Sequence, residues 1–113
     1  NLTKLLLGVK KIGIEYNFKS ICYGHAGDGN LHVNILKEGL TDHEWDYVLN
    51  DAIRKLFELC VSLNGTISGE HGIGLVQKEY MDIPLNADNL NLQKKIKLLF
   101  DPKNILNPGK IFV

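Results

Sequence analysis

The sequence lacks the features that mark secreted, membrane-spanning or nucleic-acid-binding proteins. Its two cysteines, Cys22 and Cys60, are too few for a disulfide framework, and their apolar surroundings predict reduced core thiols. No apolar run approaches the roughly 20 residues of a membrane span, and the start of the sequence lacks the order of a signal peptide. Lys+Arg and Asp+Glu balance at 13 each, so nucleic acid is not an expected partner. We expect a cytoplasmic location, or a peripheral one at a membrane for a longer form of the protein.

Two amphipathic helices are predicted in the first half of the chain. Apolar residues recur at helical spacing over residues 2–16, and this period weakens near Gly13. A longer helix is predicted to start at a capping box made by Thr41 and Glu44. It should end at a left-handed cap formed by Asn64 and Gly65. Its apolar stripe is predicted to pack on a sheet and consists of Trp45, Val48, Leu49, Ala52, Ile53, Leu56, Phe57, Cys60 and Leu63.

A β-hairpin is predicted between these helices. Its strands are expected at residues 21–23 and 31–36, within a hairpin that covers residues 20–36. In the second strand, apolar side chains alternate with His32 and Asn34, which predicts one hidden face and one polar face. The connection contains an Asp-Gly pair, which predicts a tight turn.

The second half of the chain is predicted to be helical. A short helix is expected at residues 73–81, and a longer one from a cap at Asp88 or Asn89 to about Phe100. The side chains expected to face inward on this last helix are Leu92, Ile96 and Leu99. Helices packed with an antiparallel sheet, which further strands could extend, define a single α+β domain over residues 1–113.

Two stretches concentrate polar side chains among glycines: residues 24–34 (GHAGDGNLHVN) and residues 68–72 (SGEHG). We expect them to meet in space. A tight turn would bring His25 and His32 to one side, and Glu70 would add an oxygen ligand. Two imidazoles and a carboxylate leave a coordination position open, as in catalytic zinc sites, and also suit manganese. The alternative is that the histidines are only solvated or hydrogen-bonded.

His71 has two interpretations. It follows Glu70, and neighbouring side chains are expected to diverge in a turn, so both should not bind the same ion. Because imidazole exchanges protons near neutral pH, His71 could act as a general base beside the metal, or it could only order its loop. His43 lies in the first turn of a helix and is expected to be solvated.

The other polar residues of the first stretch have local interpretations. Asn34 lies two residues after His32, so it should share a face with it and could hydrogen-bond a carboxylate or hydroxyl at the metal. Asp28 is expected to shape the turn, or to hydrogen-bond a histidine that binds the metal without binding the metal itself. The glycines either serve turns or let a flat ligand approach the backbone.

Three motifs follow one another at compatible separations: residues 24–32 (GHAGDGNLH), residues 68–74 (SGEHGIG) and residues 101–110 (DPKNILNPGK). This order resembles the C-terminal part of the FAD-linked oxidase family. That family includes flavin-type D-lactate dehydrogenases, the glycolate oxidase D subunit and D-2-hydroxyglutarate dehydrogenase. The resemblance extends from the first helix to the last residue, and it implies a ferredoxin-like C-terminal cap domain of a flavin oxidoreductase.

The resemblance implies a role for each polar residue. In metal-dependent members, the positions of His25, His32 and Glu70 bind the ion. The position of His71 takes the hydroxyl proton of the substrate, and that of Asn34 contacts the substrate. The implied reaction oxidises a D-2-hydroxy acid, such as lactate or glycolate, to the 2-oxo acid with hydride transfer to flavin. Zinc, manganese and iron all suit the ligand set.

The resemblance also implies partners. FAD would be held mainly by an N-terminal domain of the same polypeptide, and Asn107 and Lys110 are implied to approach the flavin side. We therefore expect the chain to be the last segment of a longer dehydrogenase and to be inactive alone. The electron acceptor is not specified by this segment, and an open sheet edge could pair with another copy to form a homo-oligomer.

Two hypotheses of other classes compete with this one. The chain could be a stand-alone metal- or ligand-binding module without catalysis, or a structural domain whose histidines only hold loops together. A flavin-binding domain encoded upstream of Asn1 would favour the dehydrogenase over the stand-alone module.

Overall fold

Helices and a two-stranded antiparallel sheet make up the chain in the computed structural model, which describes residues 1–113. This composition confirms the predicted α+β class. The chain divides into two compact units, residues 1–69 and residues 70–113. Neither unit contains a helix that combines the length and the apolar character of a membrane span.

The first helix, α1, spans Leu2–Tyr16 as predicted and continues past Gly13. It ends where Asn17 adopts the left-handed conformation with φ 58°. The Phe18 amide then donates to the carbonyl oxygen of Gly13 at 2.9 Å. This bond satisfies a carbonyl that the helix end leaves without a partner, as in a Schellman motif.

The predicted hairpin consists of strand β1, Lys19–Tyr23, and strand β2, His32–Leu36. The strands pair antiparallel, with Lys19 opposite Leu36 and Tyr23 opposite His32. β1 begins two residues before the predicted strand. One face of β1 is exposed and the other partly buried in strict alternation, which confirms that the hairpin has a hidden face and an open face.

The predicted tight Asp-Gly turn is wrong. Residues 24–31 connect the strands, and a 3-10 turn at Ala26–Asp28 lies within them. The His25 carbonyl accepts hydrogen bonds from the Asp28 amide at 2.9 Å and from the Asn30 amide at 3.3 Å. The connection thus satisfies part of its own backbone through the 3-10 turn, which ends at Gly29 in the left-handed conformation with φ 70°.

The second long helix begins with a π-helical turn, Glu44–Val48, and continues as α2, Leu49–Ser62. The predicted capping box is confirmed. The Thr41 amide donates to Oε1 of Glu44 at 3.1 Å, and the Glu44 amide donates to Oγ1 of Thr41 at 3.2 Å. These reciprocal bonds satisfy two backbone donors at the helix start.

The end of α2 is also as predicted. Asn64 is left-handed with φ 64°, and the Gly65 amide donates to the Cys60 carbonyl at 2.9 Å. The Cys60 thiol donates to the carbonyl of Thr66 at 3.2 Å, and burial raises the pKa of this thiol. Cys60 and Cys22 are both free, as predicted, but the prediction that they lie in the core is wrong, because each is only partly buried.

The core of the first unit lies where α2 meets the end of α1 and the hidden face of the hairpin. Phe18, Leu49 and Ala52 are buried there. Helices α1 and α2 approach closely at Gly8. A Cβ added there would lie 2.2 Å from Cδ2 of Leu59. The partly buried side chains packed around this core are Ile12, Tyr16, Ile35, Leu40, Trp45, Ile53 and Leu56.

In the second unit, the helix predicted at residues 73–81 is wrong. Only a 3-10 turn at Lys78–Tyr80 forms, and its Tyr80 side chain is buried. The Gly74 carbonyl accepts from the Ile111 amide, whereas an α-helix would pair it with the amide of Lys78. Gly74 also raises the cost of helix formation in this stretch.

The last helix, α3, spans Ala87–Phe100. Its end agrees with the prediction, but the predicted caps, Asp88 and Asn89, are wrong. Asn86 is the N-cap, and its Oδ1 accepts from the Asn89 amide at 2.9 Å. An extended backbone at Asn86 allows this bond, whereas Asp88 already lies inside the helix.

The prediction that Leu92, Ile96 and Leu99 face inward is also wrong. Their side chains are 59%, 50% and 76% exposed, and α3 has no buried residue. The helical period correctly identifies residues on one side of α3. Burial of these residues also requires another element to pack against them, and the period does not indicate whether one does.

Asp101 ends α3 and organises the segment that follows. Its carboxylate is buried and accepts from the amides of Ile105 at 3.0 Å and Leu106 at 2.9 Å. The Lys97 ammonium also donates to it. The hydrogen bond from Lys97, followed by those from the two amides, holds the pKa of Asp101 below its usual value of 3.8.

Candidate functional site

The open face of the hairpin carries two of the predicted site residues. His32 and Asn34 lie two residues apart on β2, so their side chains leave the strand on the same side. Tyr23 lies opposite His32, and Ile21 lies opposite Asn34. Ile21 and Tyr23 are 53% and 54% exposed, which places this polar face toward solvent.

Tyr23 joins the two predicted residues into one cluster. Its ring is stacked on the His32 imidazole, with ring centroids 5.1 Å apart and ring planes 16° apart. Nδ2 of Asn34 donates to the Tyr23 hydroxyl oxygen at 3.4 Å. The sequence alone indicates Tyr23 only as a strand residue, because its relation to His32 depends on the cross-strand register.

His25 lies in the loop beyond β1 rather than at the end of the strand. It precedes the 3-10 turn, its side chain is exposed, and its carbonyl anchors the loop through the amides of Asp28 and Asn30. Asp28 therefore helps to shape the loop through its main chain. His25 and His32 belong to the same unit and lie on either side of the 3-10 turn, although no tight turn joins them.

Asn30 lies against Gly69 and Gly24 within the first unit. A Cβ added to Gly69 would lie 2.2 Å from Oδ1 of Asn30. A Cβ added to Gly24 would lie 2.3 Å from the Asn30 carbonyl oxygen, and Gly24 has a φ of 155°. Glycine is therefore required at Gly24, where a side chain would overlap main-chain atoms, whereas at Gly69 a side chain would displace the Asn30 side chain. Glu70 is the covalent neighbour of Gly69.

Glu70 and His71 belong to the second unit. The Glu70 side chain is 45% exposed and that of His71 is 82% exposed. Nε2 of His71 lies 3.7 Å from Oε1 of Glu70, an ion pair if the imidazole is protonated. The expectation that these neighbouring side chains diverge is therefore wrong, since the chain bends enough for their polar ends to approach.

The predicted ion ligands have donor types that suit a divalent metal. His25 and His32 provide imidazole nitrogens in the first unit, and Glu70 provides carboxylate oxygens in the second. This mixture is typical of zinc, manganese and iron sites. No group of three or more His, Cys, Asp or Glu side chains is gathered closely enough to hold an ion in this conformation.

Asn107 and Lys110, the residues implied to approach a flavin, lie in the turns after α3. Both are exposed, and Asn107 is left-handed with φ 46°. The Lys78 ammonium donates to the Gly109 carbonyl at 2.8 Å and fastens this segment within the second unit. His43, expected to be solvated, is exposed, and its ring is tilted against that of Tyr47.

Comparison with known families agrees with the order of the three motifs. Residues 1–111 match the family described as FAD linked oxidases, C-terminal domain. The chain belongs to this family. The resemblance to the FAD-linked oxidase family found in the sequence is confirmed.

Curated relatives include dehydrogenases and an oxidase subunit. The chain is 36% identical to the glycolate oxidase subunit GlcD of Bacillus subtilis over 98% of its own length and 23% of that protein. It is 48% identical to the D-lactate dehydrogenase of Archaeoglobus fulgidus over 86% of this chain and 21% of the relative. It is 39% identical to the D-2-hydroxyglutarate dehydrogenase of Stutzerimonas stutzeri over 89% of this chain and 22% of the relative. The chain thus spans less than a quarter of the length of these relatives.

Proposed function

We propose that this chain is the C-terminal segment of a FAD-dependent dehydrogenase that oxidises a D-2-hydroxy acid to the 2-oxo acid. The observation that carries the proposal is the open hairpin face, which sets His32 beside Asn34 on a domain of the FAD-linked oxidase family. The relatives are named for lactate, glycolate and 2-hydroxyglutarate. Each of these acids has a hydroxyl on the carbon next to a carboxylate, and this is the feature that such a face would recognise.

In the proposed site, His25, His32 and Glu70 hold one divalent ion. Their imidazole nitrogens and carboxylate oxygens are suitable donors, and the contact of Asn30 with Gly69 supports a common location for the two motifs. When bound, the ion would polarise the 2-hydroxyl and lower its pKa, and FAD would accept a hydride. Zinc, manganese and iron are the candidate metals.

His71 is the proposed general base. Its exposed imidazole takes the proton of the substrate hydroxyl, and the hydrogen on C2 leaves with its electron pair as hydride. The carbinol carbon thereby becomes the carbonyl of the 2-oxo acid. Asn34 orients the substrate by hydrogen-bonding its carboxylate or hydroxyl.

Other parts of the longer protein complete the proposed enzyme. A further domain of the same polypeptide would hold most of the FAD, with Asn107 and Lys110 near the flavin side. Electrons would pass from the flavin to an acceptor that this segment does not specify. The proposed enzyme would be cytoplasmic or peripheral to a membrane. Its open sheet edge could pair with a second copy.

The proposal can be tested on the longer protein with bound FAD. D-lactate, glycolate and D-2-hydroxyglutarate would each be added without oxygen, and bleaching of the flavin absorbance would be followed. We expect at least one acid to reduce the flavin, and His71→Gln to slow that reduction about 100-fold to 10,000-fold. The matched control, His43→Gln, should leave the rate unchanged. Equal rates in both variants would contradict the role of His71, and no reduction by any acid would contradict the proposed reaction.

A further inference from the structure

Tyr23 contacts both His32 and Asn34 but has no role in the proposed reaction. We propose that Tyr23 is a positioning residue, which holds the His32 imidazole for the ion and the Asn34 amide for the substrate. This inference rests on the proposed function, because it assigns Tyr23 a role toward two residues of that site. The juxtaposition that carries it is a ring stack and a hydrogen bond made by the same side chain.

The stack restricts the orientation of His32. Tyr23 lies directly opposite His32 in the antiparallel register, so the two rings leave adjacent strands on the same face. Their near-parallel planes, 16° apart, limit rotation of the imidazole about its bond to the strand. A ligand imidazole must direct a ring nitrogen at the ion, and neighbouring groups that fix its orientation contribute to metal affinity.

The hydrogen bond orients Asn34. Its Nδ2 donates to the hydroxyl oxygen of Tyr23 at 3.4 Å, which exceeds the usual upper distance of about 3.2 Å and makes this a weak hydrogen bond. An amide has a donor end and an acceptor end, so directing Nδ2 toward Tyr23 directs Oδ1 away from it. The orientation of the Asn34 amide is then fixed before a 2-hydroxy acid binds.

Core packing does not account for the placement of Tyr23. Its side chain is 54% exposed, and the buried residues of the unit lie on the other side of the hairpin. A tyrosine and a histidine also pair elsewhere, since the rings of Tyr47 and His43 have centroids 5.2 Å apart at 34°. That pair lies at the start of a helix and provides a matched control.

Two substitutions separate the two contacts. Tyr23→Phe keeps the aromatic ring beside His32 and removes the hydroxyl that accepts from Asn34. Tyr23→Leu removes both contacts. The experiment uses the longer protein with FAD and measures the Mn²⁺ dissociation constant of its metal-free form by titration. It also measures kcat and KM for whichever of D-lactate, glycolate or D-2-hydroxyglutarate the wild type oxidises fastest.

We expect Tyr23→Phe to raise KM about two- to ten-fold and to leave the Mn²⁺ dissociation constant within about two-fold. Tyr23→Leu should raise both KM and the Mn²⁺ dissociation constant about two- to ten-fold. Tyr47→Leu should change neither quantity. An unchanged Mn²⁺ constant in Tyr23→Leu, or an unchanged KM in Tyr23→Phe, would overturn the corresponding half of the proposal.

The outcomes also separate this proposal from the reaction on which it rests. If the wild type binds Mn²⁺ but oxidises none of the three acids, the proposed reaction fails, and the Mn²⁺ constant of Tyr23→Leu still decides whether Tyr23 positions His32. If the wild type binds no Mn²⁺, the positioning of a metal ligand by Tyr23 is refuted.

Discussion

Replacing Gly24 with alanine would place a methyl group against the backbone of the loop that carries His25. The added Cβ would lie 2.3 Å from the Asn30 carbonyl oxygen and 3.2 Å from the Leu31 Cα. Both neighbours are main-chain atoms, so a change of side-chain rotamer cannot relieve the overlap. The φ of 155° at this position is also one that an L-residue rarely adopts.

The cost has two parts. Holding a non-glycine residue in such a conformation costs about 1–3 kcal/mol. Crowding of packed atoms adds about 1–3 kcal/mol unless the loop moves. We therefore expect Gly24→Ala to lower the free energy of unfolding by about 2–6 kcal/mol. To the extent that the loop moves instead, His25 is displaced and the affinity for a divalent ion falls.

Urea denaturation, followed by circular dichroism, would measure the loss of stability, and titration with Mn²⁺ would report displacement of the loop. Gly27→Ala is the matched control, because a Cβ there meets no atom within 4 Å and its φ is not positive. The control should change the free energy of unfolding by no more than about 0.5 kcal/mol. Equal stability and equal Mn²⁺ affinity in the two variants would refute the reasoning.

Three further predictions concern the supporting structure. Thr41→Ala removes half of the capping box and should lower the free energy of unfolding by about 1 kcal/mol in urea, whereas no change would show that the box is not stabilising. Leu49→Ala in the core should cost about 2–5 kcal/mol and Leu99→Ala on α3 about 0.5 kcal/mol or less, and thermal melts giving equal losses would contradict the burial pattern. Because the pKa of Asp101 is lowered on folding, its contribution should be complete above its usual value of 3.8 and disappear as the pH falls through the lowered pKa. The wild type should therefore have a higher free energy of unfolding than Asp101→Asn at neutral pH, and this difference should disappear at low pH when unfolding is measured across the pH range. A difference that stays constant with pH would exclude the ionisation of Asp101 as its cause.

The parts of the fold that depend on local chemistry could be predicted from the sequence. Helix α1 follows from apolar periodicity, and the start of the second long helix follows from the reciprocal bonds of Thr41 and Glu44. The left-handed Asn64 follows from the tolerance of asparagine for this conformation. Each of these features is determined by residues within a few positions of one another.

Features that depend on distant partners could not be predicted in the same way. The Gly74 carbonyl pairs with Ile111, which no local pattern indicates, and the helix expected there does not form. Periodicity identified the apolar side of α3, but burial needs a covering surface, and Leu99 is 76% exposed. The relation of Tyr23 to His32 appears only once the strand register is known.

For the candidate site, the sequence identified residue types better than their arrangement. It correctly placed His32 and Asn34 on one strand face, because that follows from alternation alone. It did not foresee the 3-10 turn after His25, or the approach of His71 to Glu70 within 3.7 Å. Assembly of the three proposed ligands around one ion stays a prediction.

Metal binding tests the central claim most directly. The protein would be stripped with a chelator and titrated with zinc and manganese, beside the variants His32→Ala, Glu70→Ala and, as the control, His43→Ala. The proposed site predicts near-stoichiometric binding that the first two substitutions each weaken about ten-fold or more and the control does not change. Binding that survives both His32→Ala and Glu70→Ala, or no binding by the folded wild type with its flavin in place, would contradict it.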